Sequence, residues 1–159
     1  MELKVKIKKL HPDAVIPRYA NPGDAGLDLT AVSRTFDADG NVVYGTGLAF
    51  EIPEGYVGLV FPRSSLSKKD IALSNAVGVV DSGYRGEVTA KFKPTNYFNC
   101  YCYEDCGRVV ECPRYGSIYH IGERIAQMII LPYPQIEFEE VDELSQTERA
   151  DGGYGSTGN

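Results

Sequence analysis

The chain has no apolar run that approaches the roughly 20 residues of a membrane-spanning helix. It also has no basic excess, because 22 Asp and Glu outnumber 16 Lys and Arg and give a net charge of −6. Proteins that bind nucleic acid usually concentrate basic residues on one face, so this balance argues against a nucleic-acid partner. An acidic protein that binds a polyanion must gather local positive potential from arginines, backbone N–H groups or a divalent cation. Because no apolar run is long enough to span a bilayer, a membrane protein is not expected.

Tryptophan, internal repeats and low-complexity blocks are also missing from the 159 residues, whereas glycine (17) and proline (9) are abundant. This length and a 43% hydrophobic content suit one globular domain, and the many turn residues favour strands over long helices. Residues 1–10 alternate apolar side chains with lysines, which predicts a strand and not a signal peptide. We therefore expect a cytosolic protein with reduced thiols.

Apolar periodicity predicts an all-β domain over residues 1–144. The predicted strands are 42–44, 48–52, 56–61, 76–81, 87–92, 124–131 and 135–141. A serine pair begins the one predicted helix, 64–71. Strands 76–81 and 87–92 are expected to form a hairpin with Val80 opposite Thr89. A cysteine-rich insertion at about 94–121 shows no clean periodicity, and residues 145–159 form a flexible tail.

Two segments carry groups that bind phosphate. Arg63 precedes Ser64 and Ser65 at the predicted helix start, where free N–H groups attract anions. A capped helix with a surface arginine is the alternative. In the tail, Arg149 precedes residues 152–158 (GGYGSTG), whose glycines allow N–H groups to surround an anion. A disordered terminus would have the same composition.

Three polar residues interrupt apolar strands. Asp81 ends a strand and could accept a proton from an attacking water, or simply close an Asp-Ser-Gly turn. Asp28 points to the opposite side of its strand from its leucine neighbours, where it could hold a cation or face solvent. Gln127 lies in an apolar run and needs hydrogen-bond partners from the protein or from a ligand.

Five of these segments, taken in order, resemble the five motifs of trimeric dUTPases (dUTP pyrophosphatases). The segments are 22–29 (PGDAGLDL), 62–66 (PRSSL), 78–86 (GVVDSGYRG), 122–128 (GERIAQM) and 152–158 (GGYGSTG). The resemblance runs from about residue 10 to residue 159 and is broken only by the cysteine-rich stretch. It implies a jelly-roll-like β-barrel, a homotrimer with shared active sites, and magnesium-dependent hydrolysis of dUTP to dUMP and pyrophosphate.

The resemblance also implies a role for each matching residue. Asp81 would activate the water that attacks the α-phosphorus, and Tyr84 would exclude a ribose 2′-hydroxyl. Asp28 would help fix Mg²⁺, mostly through water. The uracil pocket would be lined by Asn75, Val79, Val80 and Thr89. The α- and β-phosphates would be held by Arg63, Ser64, Ser65 and Gln127. A tail from another subunit would supply Arg149, Gly155, Ser156 and Thr157 to the γ-phosphate and Tyr154 to the uracil.

Some positions depart from the family pattern. Ser65 replaces a frequent glycine, as in the related dCTP deaminases, but those enzymes carry a catalytic glutamate ten residues after the aspartate. Lys91 occupies that position here and argues against deamination. Ala150 and Asp151 replace residues that are often glycine and serine. A nucleotide-sensing regulatory protein, whose insertion binds a partner, is the alternative from another functional class.

The insertion contains all four cysteines, Cys100, Cys102, Cys106 and Cys112. Four clustered thiolates can hold a structural Zn²⁺ ion, although their spacing departs from the paired arrangement of zinc ribbons. Unbound reduced thiols are the alternative. The neighbouring aromatic residues suggest that the insertion packs against something, such as another subunit or a protein partner.

Overall fold

The computed structural model describes residues 3–95 and 117–152, and between them the backbone of two strands. The described residues form twelve strands and one short 3₁₀ helix. These are β1 (Lys6–Lys9), β2 (Leu27–Thr30), β3 (Ser33–Phe36), β4 (Val42–Gly45), β5 (Leu48–Glu51), β6 (Tyr56–Pro62), η1 (Ser64–Lys68), β7 (Ile71–Leu73), β8 (Gly78–Val80), β9 (Thr89–Pro94), β10 (Tyr97–Tyr103), β11 (Val109–Tyr115) and β12 (Arg124–Pro132). In this part of the chain, no helical segment has the length and hydropathy needed to cross a bilayer.

The strands form two four-stranded antiparallel sheets with the orders β2-β12-β6-β8 and β3-β4-β9-β7. Two further antiparallel pairs are β1 with β5 and β10 with β11. The prediction of an all-β, jelly-roll-like fold is therefore confirmed. Because β12 lies between β2 and β6, Gln127 is directly opposite Asp28 on one side and Phe61 on the other. This register brings the second, first and fourth sequence motifs to one place.

Period-2 alternation builds the core. In β9, Ala90 and Phe92 are buried whereas Lys91 and Lys93 face outward. Phe92 packs edge-to-face against Tyr44 and Tyr119, with ring centroids 5.7 and 5.9 Å away. Such aromatic pairs contribute about 0.5–1.5 kcal/mol each beyond the area that they bury. The resulting cluster anchors the end of the insertion to the sheet.

Four strand predictions, 42–44, 48–52, 56–61 and 124–131, are confirmed with ends shifted by one residue. The predicted hairpin is wrong. Val80 lies opposite Gly58 of β6, and Thr89 lies opposite Gly45 of β4, so β8 and β9 belong to different sheets. Turn signals mark where the chain reverses, but they do not determine which strand edge each segment then joins.

The predicted helix begins at Ser64 as expected, but it is a 3₁₀ turn that ends at Lys68. Ile71 instead begins β7, where its side chain is buried in the core. The predicted strand at 135–141 is absent, and Phe138 is 92% exposed. No strand among the described residues pairs with this segment. Strands β10 and β11 pair with each other in the insertion, where no periodicity was recognised.

Candidate active site

A cavity of about 360 Å³ opens where β8 and β9 diverge. It brings together the residues that the sequence assigns to base, sugar and attacking water, namely Asn75, Val79, Val80, Asp81, Tyr84 and Thr89. Since the two strands lie in different sheets, neither serves as the other's ladder partner. Among the described strands β8 is at the edge of its sheet, so a flat ring in the cavity can meet its outer backbone groups.

Tyr84 is held at the wall of this cavity by its own turn. Its N–H donates to the Asp81 carbonyl (3.1 Å), and its hydroxyl donates to the Glu87 carbonyl (3.0 Å). A Cβ on Gly86 would overlap the phenol ring, so the chain needs glycine there for the ring to fold back. The turn therefore fixes the ring position before any ligand is bound.

Asp81 stands exposed at the mouth of the cavity, immediately after the buried Val80. Within residues 3–95 and 117–152, no group donates a hydrogen bond to its carboxylate. Both oxygens can therefore accept a proton or a hydrogen bond from water, which is the geometry that a general base requires.

Beside the cavity strands, Asp28 forms ion pairs with two arginines. Arg63 donates from Nε to Oδ1 (2.5 Å) and from Nη2 to Oδ2 (3.3 Å), and Arg124 donates from Nη1 to Oδ2 (2.9 Å). Asp28 and Arg63 are each about one-fifth exposed, at 21% and 22%. The arginines carry one more positive charge than the aspartate removes, so this cluster attracts anions.

Gln127 also contacts this region. Its amide Nε2 donates to the Pro62 carbonyl (3.0 Å), next to Arg63. A Cβ on Gly26 would lie 2.6 Å from Gln127 Oε1, so a glycine is needed where β2 approaches this side chain. Gln127 and Arg63 thus meet at the end of β6, beside Ser64 and Ser65.

A model of the dUTPase family matches residues 13–99 and 117–158 of the chain. A relative from Hydrogenobaculum sp. (strain Y04AAS1), named deoxyuridine 5'-triphosphate nucleotidohydrolase, is 39% identical over 162 residues. That match covers 98% of this chain and 99% of the relative. The chain belongs to the dUTPase family.

Solved structures of phage dUTPases have the same fold. The dUTPase of Staphylococcus bacteriophage 80alpha with dUPNHPP gives a TM-score of 0.76 at 28% identity, covering 98% of this chain and 99% of that one. A mutant dUTPase from S. aureus phage phi11, described for its coordination of a structural Mg(II) ion, gives 0.67 at 27% identity. It covers 89% of this chain and 98% of its own.

Arg124 is a residue whose role was missed. It lies inside the fourth dUTPase motif, but the sequence pattern gave no reason to pair it with Asp28. The register between β12 and β2 supplies that reason, because Arg124 lies opposite Thr30, two residues from Asp28. Glu87 was also missed. It lines the cavity and accepts a hydrogen bond from the Gly47 N–H (2.7 Å).

The structure describes residues 145–152 of the C-terminal tail, 145–159. Arg149 is exposed, and its Nε donates to the Gly152 carbonyl (2.9 Å) within the same segment. Ala150 has a φ of 45°, in the left-handed region that favours glycine, at a position where the family often has glycine. The remaining predicted tail residues, Tyr154, Gly155, Ser156 and Thr157, lie outside the described residues. So do the side chains of Cys100, Cys102 and Cys112 and all of Cys106.

Proposed function

We propose that this protein hydrolyses dUTP to dUMP and pyrophosphate. The observation that carries the proposal is the cavity in which Asp81 and Tyr84 meet, in a chain of the dUTPase family. Water is activated by the Asp81 carboxylate and attacks the α-phosphorus, after which pyrophosphate departs. In a cell, this reaction limits uracil incorporation into DNA and supplies dUMP for dTMP synthesis.

Base and sugar are selected by the cavity walls. Asn75, Val79, Val80 and Thr89 surround the uracil, and the edges of β8 and β9 supply backbone donors and acceptors. Tyr84, fixed by its hydrogen bond to the Glu87 carbonyl, lies against the deoxyribose. A ribose 2′-hydroxyl would require that ring to move, which is why the substrate is a deoxynucleotide.

The phosphates lie against the cationic cluster at η1. Arg63, Ser64, Ser65 and Gln127 contact the α- and β-phosphates, and Arg124 adds a second guanidinium through its pair with Asp28. Hydrogen bonds between a guanidinium and a phosphate are charge-assisted and stronger than neutral ones. The enzyme thus binds a polyanion despite its overall negative charge.

A magnesium ion fits this site as a water-bound partner of Asp28 and the substrate phosphates. Both Asp28 oxygens already accept hydrogen bonds from arginines, and the described residues contain no cluster of three metal-ligating side chains. Mg²⁺ usually keeps several waters and binds one or two carboxylates together with substrate phosphates, which suits this arrangement. When bound, the ion neutralises charge on the phosphates.

The C-terminal residues 145–159 close the site of a neighbouring subunit. Arg149, Gly155, Ser156 and Thr157 contact the γ-phosphate, and Tyr154 covers the uracil. In support, Arg149 is exposed, and among the described residues its side chain bonds only to Gly152 of its own segment, so its guanidinium can reach another molecule. Ordering such a tail loses conformational entropy, and ligand contacts offset that loss.

The proposed assembly is a homotrimer, supported by an arm of exposed apolar residues that follows β12. Among the described residues, positions 134–146 make no hydrogen bond to the rest of the chain. Ile136, Phe138 and Leu144 are 66%, 92% and 86% exposed. An open apolar groove of about 560 Å³ lies elsewhere on the same chain, between Val5, Ile7 and neighbouring side chains. An arm that reaches the groove of the next copy makes a head-to-tail contact, which closes into a ring of three when successive copies are related by one-third of a turn.

Two predictions concern the cysteine-rich insertion: a structural zinc site and a surface for a protein partner. The register of β10 and β11 places Cys100 opposite Cys112, and structural Zn²⁺ or a protein partner remains the proposed use of this hairpin. Metal content of the purified protein, measured by mass spectrometry, decides the zinc question. A stoichiometry near one zinc per chain supports the site, and metal-free protein with four titratable thiols rejects it.

Turnover should be lost in Asp81→Asn. General-base removal lowers rates by about 10²–10⁴-fold, because the amide cannot accept the water's proton. The assay is pyrophosphate release from dUTP, dCTP, dTTP and UTP, with magnesium present and then chelated. We expect release from dUTP only, dependent on magnesium. The affinity for dUpNHpp, a non-hydrolysable mimic, should survive in the variant. An unchanged rate in Asp81→Asn would remove the base assignment.

A further inference from the structure

The hydroxyl of Ser65 lies between two groups that fix it in place. Its Oγ is 3.1 Å from Tyr119 Oη and accepts a hydrogen bond from Arg63 Nη1 at 3.3 Å. Tyr119 belongs to none of the five dUTPase motifs, since it precedes the fourth and lies at the end of the insertion. A residue outside the motifs therefore contacts the proposed phosphate-binding loop directly.

Tyr119 is held rigidly by the core. It is 1% exposed, and its ring packs edge-to-face against Tyr44 (centroids 6.2 Å apart) and Phe92 (5.9 Å). Its carbonyl accepts hydrogen bonds from Tyr44 Oη (2.8 Å) and from Arg34 (3.3 Å). Lys69 Nζ lies 4.8 Å above the ring. Because these contacts fix both backbone and ring, the phenol oxygen is an immobile point beside η1.

The hydrogen-bonding capacity of Ser65 indicates which of the two hydroxyls, that of Ser65 or that of Tyr119, donates the hydrogen bond between them. A serine hydroxyl has one proton and two acceptor lone pairs, whereas the Arg63 guanidinium can only donate. A phenol is more acidic than an aliphatic alcohol and is the better donor of the two hydroxyls. When Arg63 and Tyr119 both donate, both lone pairs of Ser65 are used. The remaining serine proton must then point to another acceptor.

We propose that Tyr119 is a positioning residue for substrate binding, which presents the Ser65 proton to a phosphate oxygen and steadies Arg63 beside it. The proposal rests on the phosphate-binding role of Ser65 under the proposed function. It assigns to the end of the insertion a part in triphosphate recognition. Without the phenol, Ser65 can turn its proton toward other acceptors, and part of its binding contribution is lost.

The test is Tyr119→Phe, which removes one oxygen and keeps the buried ring. The affinity for dUpNHpp is expected to fall about three- to tenfold, the range for one lost hydrogen bond. The KM for dUTP should rise by a similar factor with little change in kcat. The inhibition constant of deoxyuridine, which has no phosphate, should stay unchanged. In a Ser65→Ala background, Tyr119→Phe should have no further effect, because its partner is gone.

Thr46→Val is the matched control. It deletes another fully buried hydroxyl, one that donates to the Val88 carbonyl and contacts neither Ser65 nor Tyr119. It should lower the melting temperature without changing the ratio of dUpNHpp to deoxyuridine affinity. If Ser65→Ala weakens dUpNHpp but Tyr119→Phe does not, or if the two effects simply add, the role of Tyr119 is wrong. If Ser65→Ala itself leaves dUpNHpp binding unchanged, the phosphate-binding role of Ser65 fails instead.

Discussion

The role of Asp28 could be defined only once its neighbours in the fold were known. Between two leucines, it was expected to hold a cation or face solvent. In the fold it accepts hydrogen bonds from Arg63 and Arg124. Each guanidinium is thereby oriented, with part of its charge and several donors still directed outward. The aspartate thus organises a cationic surface, which is where the proposed function places the phosphates.

Gly86 is a second residue at which the fold tolerates no larger side chain, because a Cβ there would overlap Tyr84. In Gly86→Ala the new Cβ would overlap Tyr84, and the ring would leave the Glu87 carbonyl. The displaced ring should admit a ribose. We expect the ratio of kcat/KM for dUTP to that for UTP to fall roughly tenfold, equivalent to about 1.4 kcal/mol. Steady-state kinetics with both nucleotides measures the change.

Gly83→Ala, in the same turn, is the control, because a Cβ there meets no atom within 4 Å. It should keep the parent ratio. Equal ratios in Gly86→Ala and Gly83→Ala would show that Tyr84 does not govern sugar selection.

At the scale of elements, the turn between β3 and β4 depends on one carboxylate. Asp37 Oδ1 accepts hydrogen bonds from the N–H groups of Asp39 (3.0 Å) and Asn41 (2.9 Å). Its Oδ2 pairs with Lys91 (2.9 Å) on β9. The Asn41 side chain, and next the Lys91 ammonium, hold the pKa of Asp37 well below its usual range. The ionised carboxylate therefore ties the turn to the adjacent strand.

This depressed pKa predicts how stability depends on pH. An aspartate whose pKa is lower in the folded chain stabilises it above the unfolded value of about 3.9, and the contribution is lost as the pH falls toward the folded value. The melting temperature of the parent should exceed that of Asp37→Asn near neutral pH, with a difference that shrinks below about pH 4. Thermal melts between pH 3 and pH 7 measure it.

Asp39→Asn removes the same charge from the same turn without removing the capping carboxylate. Its melting curve should follow that of the parent across this range. If the difference between the parent and Asp37→Asn were constant with pH, ionisation of Asp37 would not be its source.

At the scale of the whole molecule, the single chain leaves large apolar side chains exposed on the arm that follows β12. Core side chains such as Leu29, Leu48 and Ile125 are fully buried, yet Phe138 on the arm is 92% exposed. Large exposed apolar patches usually mark interaction surfaces. The proposed trimer covers the arm and also delivers the tail to a neighbouring site, so assembly and activity should be linked.

Phe138→Asp should therefore dissociate the trimer and lower activity together. A charge at this position must be desolvated when the arm docks on its neighbour, which opposes association. Sedimentation velocity measures the assembly, and pyrophosphate release from dUTP measures the activity. Phe36→Asp, on β3, makes the same change at another exposed phenylalanine and should keep both properties. A trimeric, active Phe138→Asp variant would contradict the proposed role of the arm.

Local sequence patterns determined much about this protein. Short apolar runs bounded by turn residues identified four strands to within one residue, and the order of five polar and glycine-rich motifs identified the family. Both signals lie within short stretches of chain, where strand geometry and backbone freedom act directly. The resemblance also named Asp81, Tyr84 and Arg63 before any fold was known. The chemistry of a side chain depends on the residue type, and the tendency to form a strand depends on the residues next to it in the sequence. Both can therefore be inferred from short stretches of chain.

Only the tertiary structure decided which edges pair and which distant groups meet. It separated β8 from β9 and left residues 135–141 without a strand. It also placed Arg124 against Asp28 and Tyr119 against Ser65, pairs that are 96 and 54 positions apart. Each of these outcomes depends on long-range register, because a strand offers two equivalent edges and a side chain can meet any partner that the register delivers. No local pattern encodes that choice.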